Sequence, residues 1–154
     1  MKLIVVAVAA CTLLGAGAPT LASEQHHSVV HADAIKWGPA PASLPPGAQA
    51  AVLLGHPAKE GPFVLRLKFP AGFVIPPHRH SKDELVTVIS GAMVITAGEK
   101  LDRQARSLPP ASFIYLPAAM AHYAWAKADS VVQINGVGPF DVTYLNPADD
   151  PRKQ

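Results

Sequence analysis

Residues 72–91 read GFVIPPHRHSKDELVTVISG and decide the fold and the candidate site together. His78 and His80 are two residues apart, so on an extended strand both project from one face and Arg79 from the other. Ser81-Lys82-Asp83 is a short polar group suited to a tight turn. Glu84 then opens LVTVIS, a β-branched run that reads as the next strand. Two imidazoles and a carboxylate gathered at one turn suit a divalent Fe, Mn, Zn, Ni or Cu ion, and such a set needs a further ligand from elsewhere in the chain. His122 is the candidate.

The spacing Gly72, five residues, His78-x-His80, three residues, Glu84, six residues, Gly91 resembles the first signature motif of the cupin superfamily at every position. The second cupin motif runs Gly, five residues, Pro-x-Gly, two residues, His, three residues, Asn. Its counterpart here is ASFIYLPAAMAHYAWA, residues 111–126. Pro117 and His122 match in register, whereas Ala111, Ala119 and Ala126 stand where the pattern has Gly, Gly and Asn. Glycine reaches positive φ at little cost and alanine does not, so the turns at Ala111 and Ala119 are open to question. The resemblance implies a jelly-roll β-barrel with one metal site formed by His78, His80, Glu84 and His122, in a single-domain monocupin that pairs as a homodimer.

The chain opens as an export signal. Lys2 supplies a minimal positive start, Leu3–Leu14 is almost continuously apolar, and Thr20-Leu21-Ala22 offers a small-residue cleavage site before Ser23. The apolar run is shorter than the ~20 residues of a membrane span, so no stable membrane anchor is expected. Val8-Ala9-Ala10-Cys11 resembles a lipoprotein box and makes lipidation at Cys11 the minor alternative. Residues 1–22 therefore point to a periplasmic or secreted protein. Cys11, the single cysteine, leaves with that segment, so the mature chain is expected to have neither disulfide nor thiolate chemistry. With 13 Lys+Arg against 11 Asp+Glu there is no basic stripe, and nucleic acid is not an expected partner.

The chain has sixteen prolines and eleven glycines, and those after the signal cut the rest into short apolar runs. Residues 50–54, 63–69, 73–75, 85–89, 92–96, 112–116, 122–126 and 131–135 read as strands, with turn signals between them. Many short strands and no sustained helical period after the signal give an all-β sandwich or barrel, here residues 50–144. Residues 23–49 read as a leading arm and 145–154 as a solvated tail.

Alternation along the strands sketches the pocket. Leu65, Leu67 and Phe69 should face inward with Val86, Val88 and Ser90, and Ala124 and Ala126 with His122; Arg66, Lys68 and Arg79 should face out. The surroundings of the donors are then apolar and short of charge, which suits a small molecule that chelates through one or two oxygens. Tyr115, Tyr123 and Trp125 read mainly as buried packing, with pocket lining as the alternative. Gln133 and Asn135 could bond a substrate or a ligand histidine, or face solvent. Glu24, His26, His27 and His31 form a histidine-rich patch best read as solvated, His56 reads as polar surface, and Met93 as core.

Three function classes follow: an oxygen-dependent, dioxygenase-like oxidoreductase acting on a small metal-chelating organic substrate; a redox-neutral metal-dependent lyase, isomerase or hydrolase with Glu84 as a possible proton carrier; and a non-catalytic metal- or ligand-binding module. The apolar pocket favours the first.

Overall fold

The structure, a computed structural model, describes residues 27–154. The expected signal segment, Cys11, Glu24 and His26 lie outside the described residues. Among the described residues ten strands form: β1 (Gly38–Pro39), β2 (Gln49–Leu54), β3 (Gly61–Phe69), β4 (Val74–Arg79), β5 (Glu84–Ser90), β6 (Met93–Ala97), β7 (Phe113–Leu116), β8 (His122–Ala126), β9 (Ser130–Gly138) and β10 (Thr143–Tyr144). They assemble into two antiparallel sheets, β1-β2-β3-β9-β5-β7 and β10-β4-β8-β6. This is the all-β jelly roll expected, and all eight sequence-predicted strands are present.

The core lies between the sheets and follows the period-2 pattern. Phe63, Leu65, Leu67 and Phe69 are buried on β3, whereas Arg66 and Lys68 on the other face are half-buried. Across the core, Ile75, Met93, Ile95, Ala124 and Ala126 come from the smaller sheet. Each fully buried large aliphatic side chain contributes roughly 1.5–3 kcal/mol, so this double layer is the main source of stability.

Three details depart from the simple pattern. The strand expected over 73–75 continues through Pro76 and Pro77 to Arg79, because the register slips between Ile75 and His78 and removes the prolines from the hydrogen-bonded ladder. Ser90, expected inward, is exposed, because a bulge between Val88 and Ser90 resets the alternation. The stretch 145–154 is largely exposed but pinned: Asp150 caps the closing 3-10 turn at Arg152 N, and the Arg152 guanidinium binds Asp150 and the Val142 carbonyl. No helix among the described residues is long and apolar enough to cross a membrane.

The leading arm wraps its own barrel. Its residues 38–39 form β1 beside β2, Ala48 and Leu44 pack on the core, and the Ser43 carbonyl accepts a 2.7 Å bond from the Tyr144 hydroxyl.

Candidate metal centre

Local folding brings the three predicted histidines together, with Glu84 beside His80 and His122. His78 on β4 is the cross-strand partner of His122 on β8. His80 sits one residue beyond the end of β4, and Glu84 opens β5, where it pairs with both β7 and β9. All four are buried, between 2% and 6% exposed, and Arg79 between the histidines is exposed as alternation demands.

The three histidines share one device. Nδ1 of His78 donates to the Pro76 carbonyl at 2.7 Å, that of His122 to Met120 at 3.0 Å, and that of His80 to Asp141. A carbonyl can only accept, so each Nδ1 carries a proton and Nε2 is the ring atom left to meet a metal. The Nε2 atoms of His80 and His122 are buried without a hydrogen-bond partner and lie 3.4 and 3.3 Å from Glu84 Oε2. One donor atom from each histidine falls within 4.8 Å of the others. Two donors bound about 2.1 Å from a shared ion stand roughly 3–3.4 Å apart, so these separations match the edges of a coordination polyhedron. Buried ring nitrogens without a hydrogen-bond partner are costly without a cation; the three-histidine group could hold a divalent metal, with Glu84 beside two of its members.

The electrostatics agree. Burial, reinforced by the neighbouring His122 and His80, pulls His78 down to about 3, so it is neutral at ordinary pH. Burial would raise Glu84, but the facing His122 and His80 outweigh it and hold the carboxyl at about 2. His80 moves upward: burial opposes its charge, and the Glu84 carboxylate with the Asp141 carbonyl overcomes that penalty.

A further set of bonds joins the two ligand-bearing segments. The Asp83 carboxylate accepts from Ala118 N at 2.8 Å and the Tyr115 hydroxyl at 3.1 Å. Asp141 Oδ1 accepts from the Ser81 amide and hydroxyl, while Phe140 stacks on His80 with ring centroids 4.2 Å apart. Sequence reasoning missed Asp83, Phe140 and Asp141. The carbonyl partners left no sequence signal, since any residue supplies a carbonyl.

The donors stand between two apolar lobes. The outer lobe spans about 530 Å³, opening included, under Pro41, Ser43 and Leu44 of the arm, Pro57, Phe140 and Val142. The inner lobe spans about 330 Å³, open space included, and is lined by His122 and barrel-core side chains. His78 and Glu84 line both. Apart from the donors, Ser43 is the one polar side chain among the described residues that line either lobe.

Several expected candidates lie elsewhere. Tyr115 is 51% exposed and neither packs in the core nor reaches the pocket, because it points from the outer face of β7. Tyr123 is buried and Trp125 half-buried on the outer face of the smaller sheet, where Arg103 and Lys127 lie over the indole. Gln133 and Asn135 face outward on β9, and Gln133 accepts from Arg66 Nε at 3.0 Å. His27, His31 and His56 are exposed, whereas Met93 is core at 1% exposure.

The family model for the ChrR cupin-like domain matches residues 25–141. Among solved structures, the chain is similar to a candidate acetylacetone dioxygenase from Methylibium petroleiphilum PM1, at 22% identity and TM-score 0.65, over 86% of this chain and 90% of that one. It is similar to an acetylacetone dioxygenase from Acinetobacter johnsonii at 14% identity and TM-score 0.62, over 86% of each chain. The polyketide cyclase RemF from Streptomyces resistomycificus matches at 14% identity and TM-score 0.64, over 83% of this chain and 92% of that one. These likenesses are of fold. No curated protein matches the sequence. The chain belongs to the ChrR cupin-like domain family.

Proposed function

We propose that this ChrR cupin-like protein is an exported, metal-dependent oxidoreductase that uses dioxygen to oxidise a small, metal-chelating organic molecule. The observation that carries the reading is the convergence of three imidazoles, each fixed with Nε2 free, and one carboxylate at the waist of an apolar pocket. His78, His80 and His122 through Nε2 and Glu84 through Oε2 would hold the ion. A bound divalent metal would supply Lewis-acid and oxygen chemistry towards a chelating substrate.

The chain's own groups do the rest. The three carbonyls fix the ring orientations before any ligand arrives, so little reorganisation is needed on binding. The apolar lobes exclude water and strengthen charge interactions at the donors. Glu84, held near 2, remains a carboxylate and serves as a ligand rather than an acid. Ser43 at the mouth offers a hydrogen bond to a substrate that enters. The acetylacetone dioxygenase neighbours support an oxygen-dependent activity on this fold. A redox-neutral reaction, in line with the cyclase neighbour, needs a proton carrier, and only Ser43 and the donors themselves are at hand.

Residues 1–22 support export, and an activity needing neither ATP nor nicotinamide suits that compartment. Exposed Phe113 and Tyr115 on the edge strand β7 give the proposed homodimer an apolar face, which sedimentation equilibrium would test.

The test of function is elemental analysis of protein exported to a native periplasm and purified without chelators, followed by oxygen-electrode assays with small diketones and phenolics. About one iron, copper or manganese per chain together with oxygen uptake is the expected result. Zinc or nickel without oxygen uptake would overturn the oxidative reading and move the assignment to redox-neutral chemistry. An empty site that fails to load would indicate a binding module that does not use the metal.

A further inference from the structure

The three histidines differ in where their ring partners come from. His78 and His122 each donate to a carbonyl two residues upstream, at Pro76 and Met120. Each of those partners lies in the same stretch of backbone as its ring. His80 lies one residue past the end of β4, and its Nδ1 donates to the carbonyl of Asp141, 61 positions further along the chain. Its orientation is therefore set by tertiary structure and not by its own strand.

Asp141 reaches this place twice. Its carbonyl accepts from His80 Nδ1, and its Oδ1 accepts from the amide, at 2.9 Å, and from the hydroxyl of Ser81, the next residue. The two contacts close a small ring between residues 80–81 and 141, which fixes the Asp141 peptide relative to the imidazole. Neighbouring bonds hold the same segment from outside. Phe140 N donates to Pro57 O at 2.7 Å, and the Arg152 guanidinium donates to Val142 O at 2.9 Å. Any residue supplies a carbonyl; only a short side chain with an acceptor oxygen also holds Ser81.

We propose that Asp141 is the positioning residue for His80: its carboxylate, fastened to Ser81, holds its own carbonyl where it turns Nε2 of His80 towards Glu84 and the other two histidines. A partner that orients a metal-binding imidazole is worth roughly 10–100-fold in metal affinity. That consequence for metal binding rests on the centre proposed above, whereas the orientation of the ring does not. Asp141 and Ser81 are exposed, so truncating either leaves the core untouched.

The test uses the full protein, first metal-free and then with zinc alone. In ¹⁵N-labelled metal-free protein the ring proton on His80 Nδ1 should resist solvent exchange, as should those of His78 and His122. Asp141→Ala should lose the His80 signal to exchange and keep the other two. Asp141→Asn retains an acceptor oxygen for Ser81 and should keep all three. A His80 signal that survives in Asp141→Ala overturns the proposal, and so does joint loss of all three signals, which marks general loosening.

Competition with a chelator should then show zinc bound roughly 10–100-fold more weakly by Asp141→Ala, with Asp141→Asn close to wild type. Equal zinc affinity in wild type and both variants overturns the proposal and leaves the metal centre standing. A wild type that takes up no zinc, with His80 alone loosened in Asp141→Ala, removes the metal centre and leaves the positioning role.

Discussion

The two segments that build the candidate metal centre treat their sequence patterns differently. Residues 72–91 keep every expected position, whereas residues 111–126 keep only Pro117 and His122 and place alanine at the other three. The backbone is nevertheless the one the pattern calls for: Ala111 and Ala119 adopt φ of 67° and 63°, the left-handed region normally left to glycine. The reason lies across the site. Ala111 N donates to Val88 O, Ala119 N to His80 O, and Ala126 N to Phe73 O, so each substituted position is held by a main-chain bond to the first segment. Those bonds need no particular side chain. Ala111 and Ala119 are also exposed, so their methyl groups have room. Each left-handed alanine costs roughly 1–2 kcal/mol, which the surrounding structure absorbs. The changed positions are thus held by the main chain: Ala111 and Ala119 have solvent beside them, and Ala126 is packed in the core.

The largest effect should come from the donors. His78→Ala, from the first segment, and His122→Ala, from the second, should each abolish stoichiometric metal binding. Elemental analysis showing one metal per chain in either variant would break the equivalence of the two segments.

Acidification probes the same site without mutation. In the metal-free protein, His78 (about 3 folded, 6.5 unfolded) and Glu84 (about 2 folded, 4.5 unfolded) both titrate lower when folded. The unfolded chain thus binds more protons than the folded one across these intervals, so stability should fall as pH drops from about 6.5 towards 2. The raised His80 opposes part of that slope. Denaturant midpoints that stay flat between pH 6.5 and 3 would contradict the burial argument.

Glycine substitutions sharpen the comparison within the first segment. Gly72 and Gly91 both have φ of +83°, but a Cβ at Gly91 would stand 2.3 Å from Asp129 O and from Ser130 Oγ, while one at Gly72 would meet nothing within 4 Å. Gly91→Ala should therefore lower stability by about 3 kcal/mol or more, and Gly72→Ala by about 1–2 kcal/mol. Equal thermal shifts in the two variants would show that conformation outweighs contact.

The reverse exchange in the second segment should be favourable. Ala119→Gly and Ala111→Gly should each relieve the left-handed strain, and the extra chain entropy of glycine leaves a net gain of about 0.5–1 kcal/mol. Calorimetry should find a melting point a few degrees higher. Smallest of all, Arg79→Ala should leave metal content unchanged; loss of metal would mean that the β4 alternation is wrong.

Much of this was legible in the residues. Donor spacing, strand alternation and the run of short apolar segments place His78, His80, Glu84 and His122 on inward faces of a barrel, and there the structure puts them. What stayed hidden has physical causes. The bulge that turns Ser90 outward depends on a partner strand some forty residues away, which local alternation cannot sense. Tyr115, Gln133 and Asn135 lie on strands whose outer face is indistinguishable from the inner by periodicity alone. The arm's part in the pocket arises from contacts that join residues far apart in the chain.

The bond from Tyr144 to Ser43 carries one more consequence. It spans 101 positions, and its two halves lie near opposite ends of the barrel sequence. A chain made from the N-terminus exposes Ser43 long before Tyr144 exists, so the rim over the outer lobe can be fastened only after Tyr144 has emerged. The donors on β4, β5 and β8 all emerge earlier. The rim over the outer lobe is thus the later part of the pocket to close, after the residues that would hold an ion.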